Sequence, residues 1–341
     1  MTVHRRAFLA LAGALLALAT PAAAQDKAPT FALRVAYLTR KYEVPPPLSL
    51  TEPILKDKGI QGARLAQKEN ALTGNLLGQK YELTEDVVPE DGDVPAAARE
   101  LLAQYLAWKR WTRWLLISGK QDKDLQYAAA IRRAADRFGG KIVEERTYQF
   151  EAGSRRVESG HQQVQTQMPM LTQGAADYDV LVVADVSEAF GDYLLFRTTE
   201  PKVVAGTQGL VSVAWHRAYE QFGSMSLHSA FEKLAKRNIT EADYLGWLGV
   251  KVFSEAALRT GSADPDTIRA YLTSDAFVLP GFKGVGMSFR RWNHQLRQPM
   301  LIAWARSLVS VSPQEVFLHE HFATDTLGYD EPDSSCHLDR N

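Results

Sequence analysis

Apolar and polar residues alternate through "ALRVAYLT", which predicts a strand. The "PPPLSLTEP" that follows predicts an extended connection, because proline fixes φ and disfavours helix in the residue before it. Apolar positions three and four apart in "GARLAQKENALTG" predict an amphipathic helix ending at Gly74. "QKYELTEDVV" reads as a strand, and "DVPAAARELLAQYLAWKR" as a helix with proline near its start. The chain therefore opens β-α-β-α.

The pattern then restarts. "RWLLIS" is a buried strand, "DKDLQYAAAIRRAADRFGG" a helix closed by glycine, and "KIVEERTYQF" a further strand. "QVQTQMPMLTQG" predicts a helix kinked at its proline. "YDVLVVAD" and "PKVVAGTQG" follow as strands, the first continuously apolar, as in a parallel sheet covered on both faces. After Trp215 helices dominate: "HSAFEKLAKR", then "TEADYLGWLGVKVFSEAALRTG", then "DPDTIRAYLTS" with aspartate before proline as a capped start. "FKGVGMSFRRWNHQLRQPMLIAWARSLVSV" reads as a strand, a turn and a second strand. Two successive sets of alternating strands and helices predict an α/β protein of two doubly wound lobes.

Composition adds a compartment and removes some chemistries. "HRRAFLALAGALLALATPAAAQ" joins Arg5 and Arg6 to an apolar run ending in small residues, with Ala22 and Ala24 in a cleavage frame. Residues 1–24 thus read as an export signal and the mature chain as periplasmic. "RRAFLA" also resembles a twin-arginine signal, which implies export after folding. About 315 residues follow, enough for two cores. A net charge of -1 gives no footprint for nucleic acid. Cys336, the single cysteine, lies in the polar stretch "EPDSSCHLDRN" and cannot staple the fold. Gly-x-Ser-x-Gly, His-Glu-x-x-His and Walker motifs are absent, so the sequence marks out no catalytic site.

The order of these pieces over nearly the whole mature chain resembles the periplasmic solute-binding proteins of the leucine/isoleucine/valine-binding type (type I). A narrower resemblance rests on "SGHQQVQTQMPMLTQGAADYDVLVVAD", "AGTQGLVSVAWHRA", "LRQPMLIAWARSLVSVSPQEVFLHE" and "DTLGYDEPDSSC". These stretches are similar to the branch associated with quinoprotein alcohol dehydrogenase systems, whose ligand is taken to be pyrroloquinoline quinone (PQQ). The resemblance implies two lobes joined by a hinge around a ligand cleft. Residues 31–107 plus 215–285 form lobe 1 on this reading, 108–214 plus 286–310 form lobe 2, and 311–341 form a C-terminal tail. It implies a monomer that delivers PQQ to an ABC permease or a quinoprotein dehydrogenase, with PQQ as ligand and no cofactor as catalyst. An amino acid or small organic acid is the alternative ligand, and a non-binding accessory subunit the alternative role. Lobe 1 departs from the family pattern: one or two strand-helix pairs, about 50 to 60 residues, are absent between "RELLA" and "QYLAWKRW". On the family pattern that the resemblance implies, the absent region also holds a partner for Cys336.

Ligands of open α/β sheets sit beyond the carboxyl ends of the strands. That rule nominates Thr39, Arg40, Lys41 and Tyr42 after the first strand, and Gly119, Lys120 and Gln121 after "RWLLIS". It adds Asp185 and Ser187 after "VLVVAD", and Thr207, Gln208, Trp215 and Arg217 after "KVVAG". A flat tricarboxylate such as PQQ needs cations for its carboxylates and an aromatic wall for its ring. Arg40, Lys41, Lys120 and Arg217 supply charge, and Trp215 a stacking plane. A core or hinge-packing role competes for Trp215. Trp108, Trp111 and Trp114 recur every three residues and read as one packed side of a helix at the lobe boundary. Arg155 with Arg156, and Arg290 with Arg291, read as solvated pairs. His319 and His321 lack the further ligands a metal needs, and "EDGD" at 90–93 reads as a turn.

Overall fold

The computed structural model describes residues 31–40, 55–88, 98–149, 158–336 and 338. The export signal, Lys41, Tyr42, "PPPLSLTEP", "EDGD", Arg155 and Arg156 lie outside the described residues, as does the side chain of Arg40. The first strand, β1, runs Phe31–Arg40, and its buried Leu33 and half-covered Val35 and Tyr37 alternate with exposed Ala32, Arg34, Ala36 and Leu38. This is the period of a strand with one packed face. Helix α1 (Ile60–Leu77) leads to β2 (Gln79–Val88), which pairs in parallel with β1 along its full length. The helix ends at Gly78, with φ 66°, and not at Gly74. Gly74 is a close-approach residue: a Cβ there would lie 2.5 Å from the Gln79 carbonyl and 2.8 Å from the Tyr81 ring.

Helix α2 (Ala98–Trp108) precedes β3 (Arg113–Ser118), α3 (Asp122–Phe138), β4 (Lys141–Thr147), α4 (Glu158–Thr172) and β5 (Val180–Ala184). A short helix, α5 (Gly191–Leu194), leads to β6 (Val203–Gly206) and β7 (Leu210–Val213). Three helices follow, α6 (Ser224–Ala235), α7 (Glu241–Thr260) and α8 (Pro265–Leu272). Then come β8 (Leu279–Pro280), β9 (Gly286–Phe289), β10 (Leu296–Arg297), β11 (Met300–Trp304) and β12 (Ser307–Ser312). The stretch from Phe282 to Val311 is thus broken into four short strands, β9 to β12, where the sequence suggests two.

Seven strands form one sheet in the order β12-β11-β7-β6-β5-β3-β4, parallel from β4 to β7 and antiparallel at β11 and β12. β5 is buried at every position. On one face Trp114, Leu116, Val180 and Val182 meet Leu102 and Leu106 of α2 and Ile131 of α3. On the other, Leu115, Ile117, Leu181 and Val183 meet Val164 and Met168 of α4 and Phe190 and Leu194. This two-sided burial makes the strands read as continuous apolar runs.

The other core gathers Leu33, Ala63, Ala66, Phe231, Tyr244, Trp247, Ile268, Phe277 and Met287 from β1, α1, α6, α7, α8, the connection between α8 and β8, and β9. We call this core lobe 1 and the seven-stranded sheet with its covering helices lobe 2. Among the described residues its parallel sheet has two strands. The outward face of that pair carries Arg34, Glu82 and Lys80 in ion pairs (2.6–3.1 Å), a solvated surface where a doubly wound sheet would carry helices.

Packing differs from the sequence reading at four places. Helix α2, placed by sequence in lobe 1, lays Leu102, Ala103, Tyr105 and Leu106 on the seven-stranded sheet. β9 and β10, placed in lobe 2, pack with the lobe-1 core through Met287, Phe289 and Leu296. The three tryptophans share no helix face, since Trp108 ends α2, Trp111 lies in the turn and Trp114 is inside β3. Arg290 is no solvated residue: it is 2% exposed and donates to Asp325, to the Thr324 and Leu327 carbonyls and to Gln295. No helix among the described residues is long and apolar enough to cross a membrane.

Candidate functional site

Three parallel strands end side by side at β4, β3 and β5, and the loops beyond them enclose a cavity of about 250 Å³. Gly119, Lys120 and Gln121 come from the β3-α3 loop and Asp124 from the first turn of α3. Tyr148 and Gln149 follow β4, and Ser187, Ala189 and Phe190 follow β5. The Tyr148 and Phe190 rings, 4.7 Å apart between centroids, form an apolar wall. The Lys120 ammonium, held by Gln149 Oε1 at 2.9 Å, supplies a positive charge.

Two buried carboxylates build the frame behind this cavity. Asp124 accepts from the Ser187 N–H at 3.1 Å and the Ser187 hydroxyl at 2.8 Å, joining α3 to the β5 loop. Gly119 makes room for it, since a Cβ there would sit 2.2 Å from Asp124 Oδ2. Asp185 accepts from the N–H groups of Ala189, Phe190 and Gly191 at 2.6–2.9 Å, winding the chain into α5. Burial raises the Asp185 pKa, and those three donors oppose the shift. Thr207 and Gln208 brace the same loop. The Thr207 hydroxyl accepts the Asp185 N–H at 2.9 Å, and Gln208 Nε2 donates to the Asp185 carbonyl at 3.2 Å.

Of the residues nominated by sequence, Lys120 and Gln121 line the cavity, with Gly119 and Ser187. Asp185, Thr207 and Gln208 stand behind it as scaffold. Arg217 is exposed and does not line it. Trp215 is 1% exposed, stacked on Tyr244 at 4.3 Å inside the lobe-1 core, so the competing packing role is the one it fills here. Sequence reasoning missed Tyr148, Gln149, Asp124 and Phe190. Tyr148 and Gln149 were legible in principle: ending the fourth strand at Thr147, where β4 ends, puts both at a strand mouth. Asp124 and Phe190 carry no such signal. Among the described residues no group of three His, Cys, Asp or Glu is placed to hold a metal ion; His319 instead pairs with Asp330 at 3.0 Å.

No protein-family model and no curated protein sequence matches the chain. Solved structures do. A branched-chain amino acid ABC transporter periplasmic ligand-binding protein from Burkholderia xenovorans LB400 superposes with a TM-score of 0.64 at 13% identity, over 90% of this chain and 100% of its own. The chain has the type I periplasmic binding protein fold. A periplasmic binding protein from Burkholderia mallei shares the type I fold with a TM-score of 0.57 at 12% identity, over 90% and 99% of the two chains. So does a solute-binding protein of an ABC transporter from Rhodopseudomonas palustris BisB5 in complex with 3,4-dihydroxy benzoic acid. Its TM-score is 0.51 at 11% identity, over 80% and 93%. Within the type I fold the cavity lies at the carboxyl ends of parallel strands, the place where open α/β sheets receive ligands.

Proposed function

We propose that this protein is an exported substrate-binding component of an ABC transport system, with no reaction of its own, and that its ligand is a small organic acid with an apolar or aromatic body. The observation that carries this reading is the cavity at the β3, β4 and β5 mouths, which sets the Tyr148–Phe190 wall beside a single ammonium, Lys120. One cation matches one carboxylate, and the surrounding glutamines and backbone groups match its remaining polar atoms. PQQ carries three carboxylates. Among the described lining residues Lys120 is the sole cation and Asp124 the nearest opposite charge, so this wall favours a monocarboxylate over the quinone. The type I neighbour that holds 3,4-dihydroxy benzoic acid supports the same ligand class.

Calorimetric titration of the signal-free chain with L-leucine, 3,4-dihydroxybenzoate and PQQ tests the proposal. A monocarboxylate is expected to bind saturably, and Lys120→Met to weaken it about ten- to hundredfold, the loss of one charge-assisted hydrogen bond. Saturable binding of PQQ alone would return the ligand to the quinone. Absence of binding by all three would favour the accessory-subunit role.

A further inference from the structure

The parallel pair β1-β2 has one guarded edge and one bare edge. Among the described residues β1 pairs with β2 and with no other strand, so its far edge keeps a row of main-chain N–H and C=O groups for a further partner. Proteins guard such edges with charge or proline. β2 carries Lys80, Glu82, Glu85 and Asp86; β4, at one end of the large sheet, carries Lys141, Glu144, Glu145 and Arg146; and β12, at the other end, runs straight into Pro313. β1 has no such guard. Between Phe31 and Thr39 its one charge is Arg34, and that guanidinium is drawn to Glu82 on β2, 3.1 Å away. The floor beneath the bare edge is unfinished as well. Helix α1 packs under β2 and α7 under β1, where a Cβ on Gly246 would stand 3.3 Å from the Tyr37 ring. At about 100° per residue, Leu245, Gly249 and Phe253 share the flank of α7 beside this contact, while Asp243 and Ser254 turn the other flank to α1. All three are exposed, and a Cβ on Gly249 would meet no described atom within 4 Å. A sheet continued past β1 would cover this stripe.

We propose that two copies of the chain join at this edge, β1 against β1 in antiparallel pairing about a two-fold axis at Val35, making one sheet in the order β2-β1-β1-β2. A second copy is the occupant that the residues of β1 themselves specify. With Val35 opposite itself, Leu33 lies opposite Tyr37 of the second copy, Ala32 opposite Leu38, and Arg34 opposite Ala36. Aliphatic meets aromatic on the packed face, small meets large on the outer face, and no charge faces its like. Moving the axis one residue, to Arg34, would set two guanidiniums directly opposite each other. An axis perpendicular to the sheet keeps both α7 helices on one face, so the two stripes of Leu245, Gly249 and Phe253 meet beneath the junction and lose their exposure to water. The contact is isologous and closes at two copies, and the charges of β2 guard the outer edges of the joined sheet.

The junction lies in lobe 1, apart from the cavity of lobe 2, so its test uses the ligand-free, signal-free chain and is independent of what that cavity binds. Sedimentation equilibrium of wild type is expected to show a monomer–dimer equilibrium. Ala36→Lys sets an ammonium opposite Arg34 of the second copy, and by symmetry the penalty enters twice, so the dissociation constant of the dimer should rise about tenfold. Ala36→Glu sets a carboxylate there and should leave the constant unchanged or lower it. Phe253→Asp, which puts a charge into the shared stripe, should weaken the dimer without touching β1. Ala36 and Phe253 are both exposed, so each variant should melt as wild type does when dilute. A wild-type chain that stays monomeric at every concentration overturns the proposal, and slow hydrogen exchange along β1 in that monomer would assign the edge to another segment of the same chain. A dimer that treats Ala36→Lys and Ala36→Glu alike also overturns it, because a junction elsewhere would not read the sign of a charge on β1.

Discussion

Three residues past the end of β7, His216 shows how one side chain makes stability depend on pH. Its Nδ1 accepts the Ala218 N–H at 3.2 Å, so the ring proton is on Nε2, which donates to the Ala305 carbonyl at 3.2 Å. Both bonds belong to the neutral ring, and burial lowers the pKa below the ordinary 6.5. On acidification the unfolded chain takes up this proton before the folded chain does. The stability it contributes is therefore complete above about pH 6.5 and is lost as pH falls. Thermal melts from pH 8 to 5 should show a steeper acid loss in wild type than in His216→Gln; equal slopes would remove His216 from the account. No sequence pattern announces this role, because the Ala305 carbonyl is brought in from the turn between β11 and β12.

At the scale of elements, α1 and α7 of lobe 1 approach backbone to backbone at Gly62. Asp243, capping α7 in a box with Thr240, also accepts the Gly59 N–H at 2.8 Å and pairs with Arg237. The start of α1 is thus tied to the start of α7. A Cβ at Gly62 would fall 1.7 Å from the Asp243 carbonyl oxygen, backbone against backbone. Gly62→Ala should force the helices apart and destabilise by about 1–3 kcal/mol or more, read as a lower urea midpoint with the slope preserved. An unchanged midpoint would mean the seam relaxes freely. The sequence foretells the existence of both helices, and the capped start of α8 is visible in Asp264 before Pro265, where the carboxylate accepts the Thr267 N–H at 2.8 Å. Gly74 misleads, because a glycine needed for close approach to β2 looks in sequence like a helix stop.

Across the whole molecule, the segment after Ser312 is a fastening and not a loose tail. Asp325, 2% exposed, receives Nε of Arg290 at 2.9 Å and Nε of Arg297 at 2.8 Å, and both arginines lie against Trp292. One carboxylate is therefore the shared counterion of two buried guanidiniums, one following β9 and one ending β10. Removing it leaves both charges without their counterion, which costs more than the pair itself contributes. Asp325→Ala should lose about 3–5 kcal/mol in chemical denaturation. A loss under about 1 kcal/mol would mean that the carbonyls of Thr324 and Leu327 suffice for Arg290. Arg290 and Asp325 are 35 residues apart, and in sequence each reads as an ordinary surface charge.

The sequence by itself determined β3 and β5 of the large sheet and the helices α3 and α4 that flank them, because covering both faces demands continuous apolar runs that local pattern displays, whereas β7 and α5 left no such mark. It also determined the type of place where a ligand would sit, since strand ends are legible and the rule of strand mouths is general. Tertiary structure alone decided which mouths face a common cavity, that α2 packs on lobe 2, and that Trp215 belongs to a core. It also decided the partners of Arg290 and His216. Each of those outcomes depends on which distant segment supplies the opposing carbonyl, carboxylate or ring, and desolvation gives the contact its energy only after the chain has closed around it.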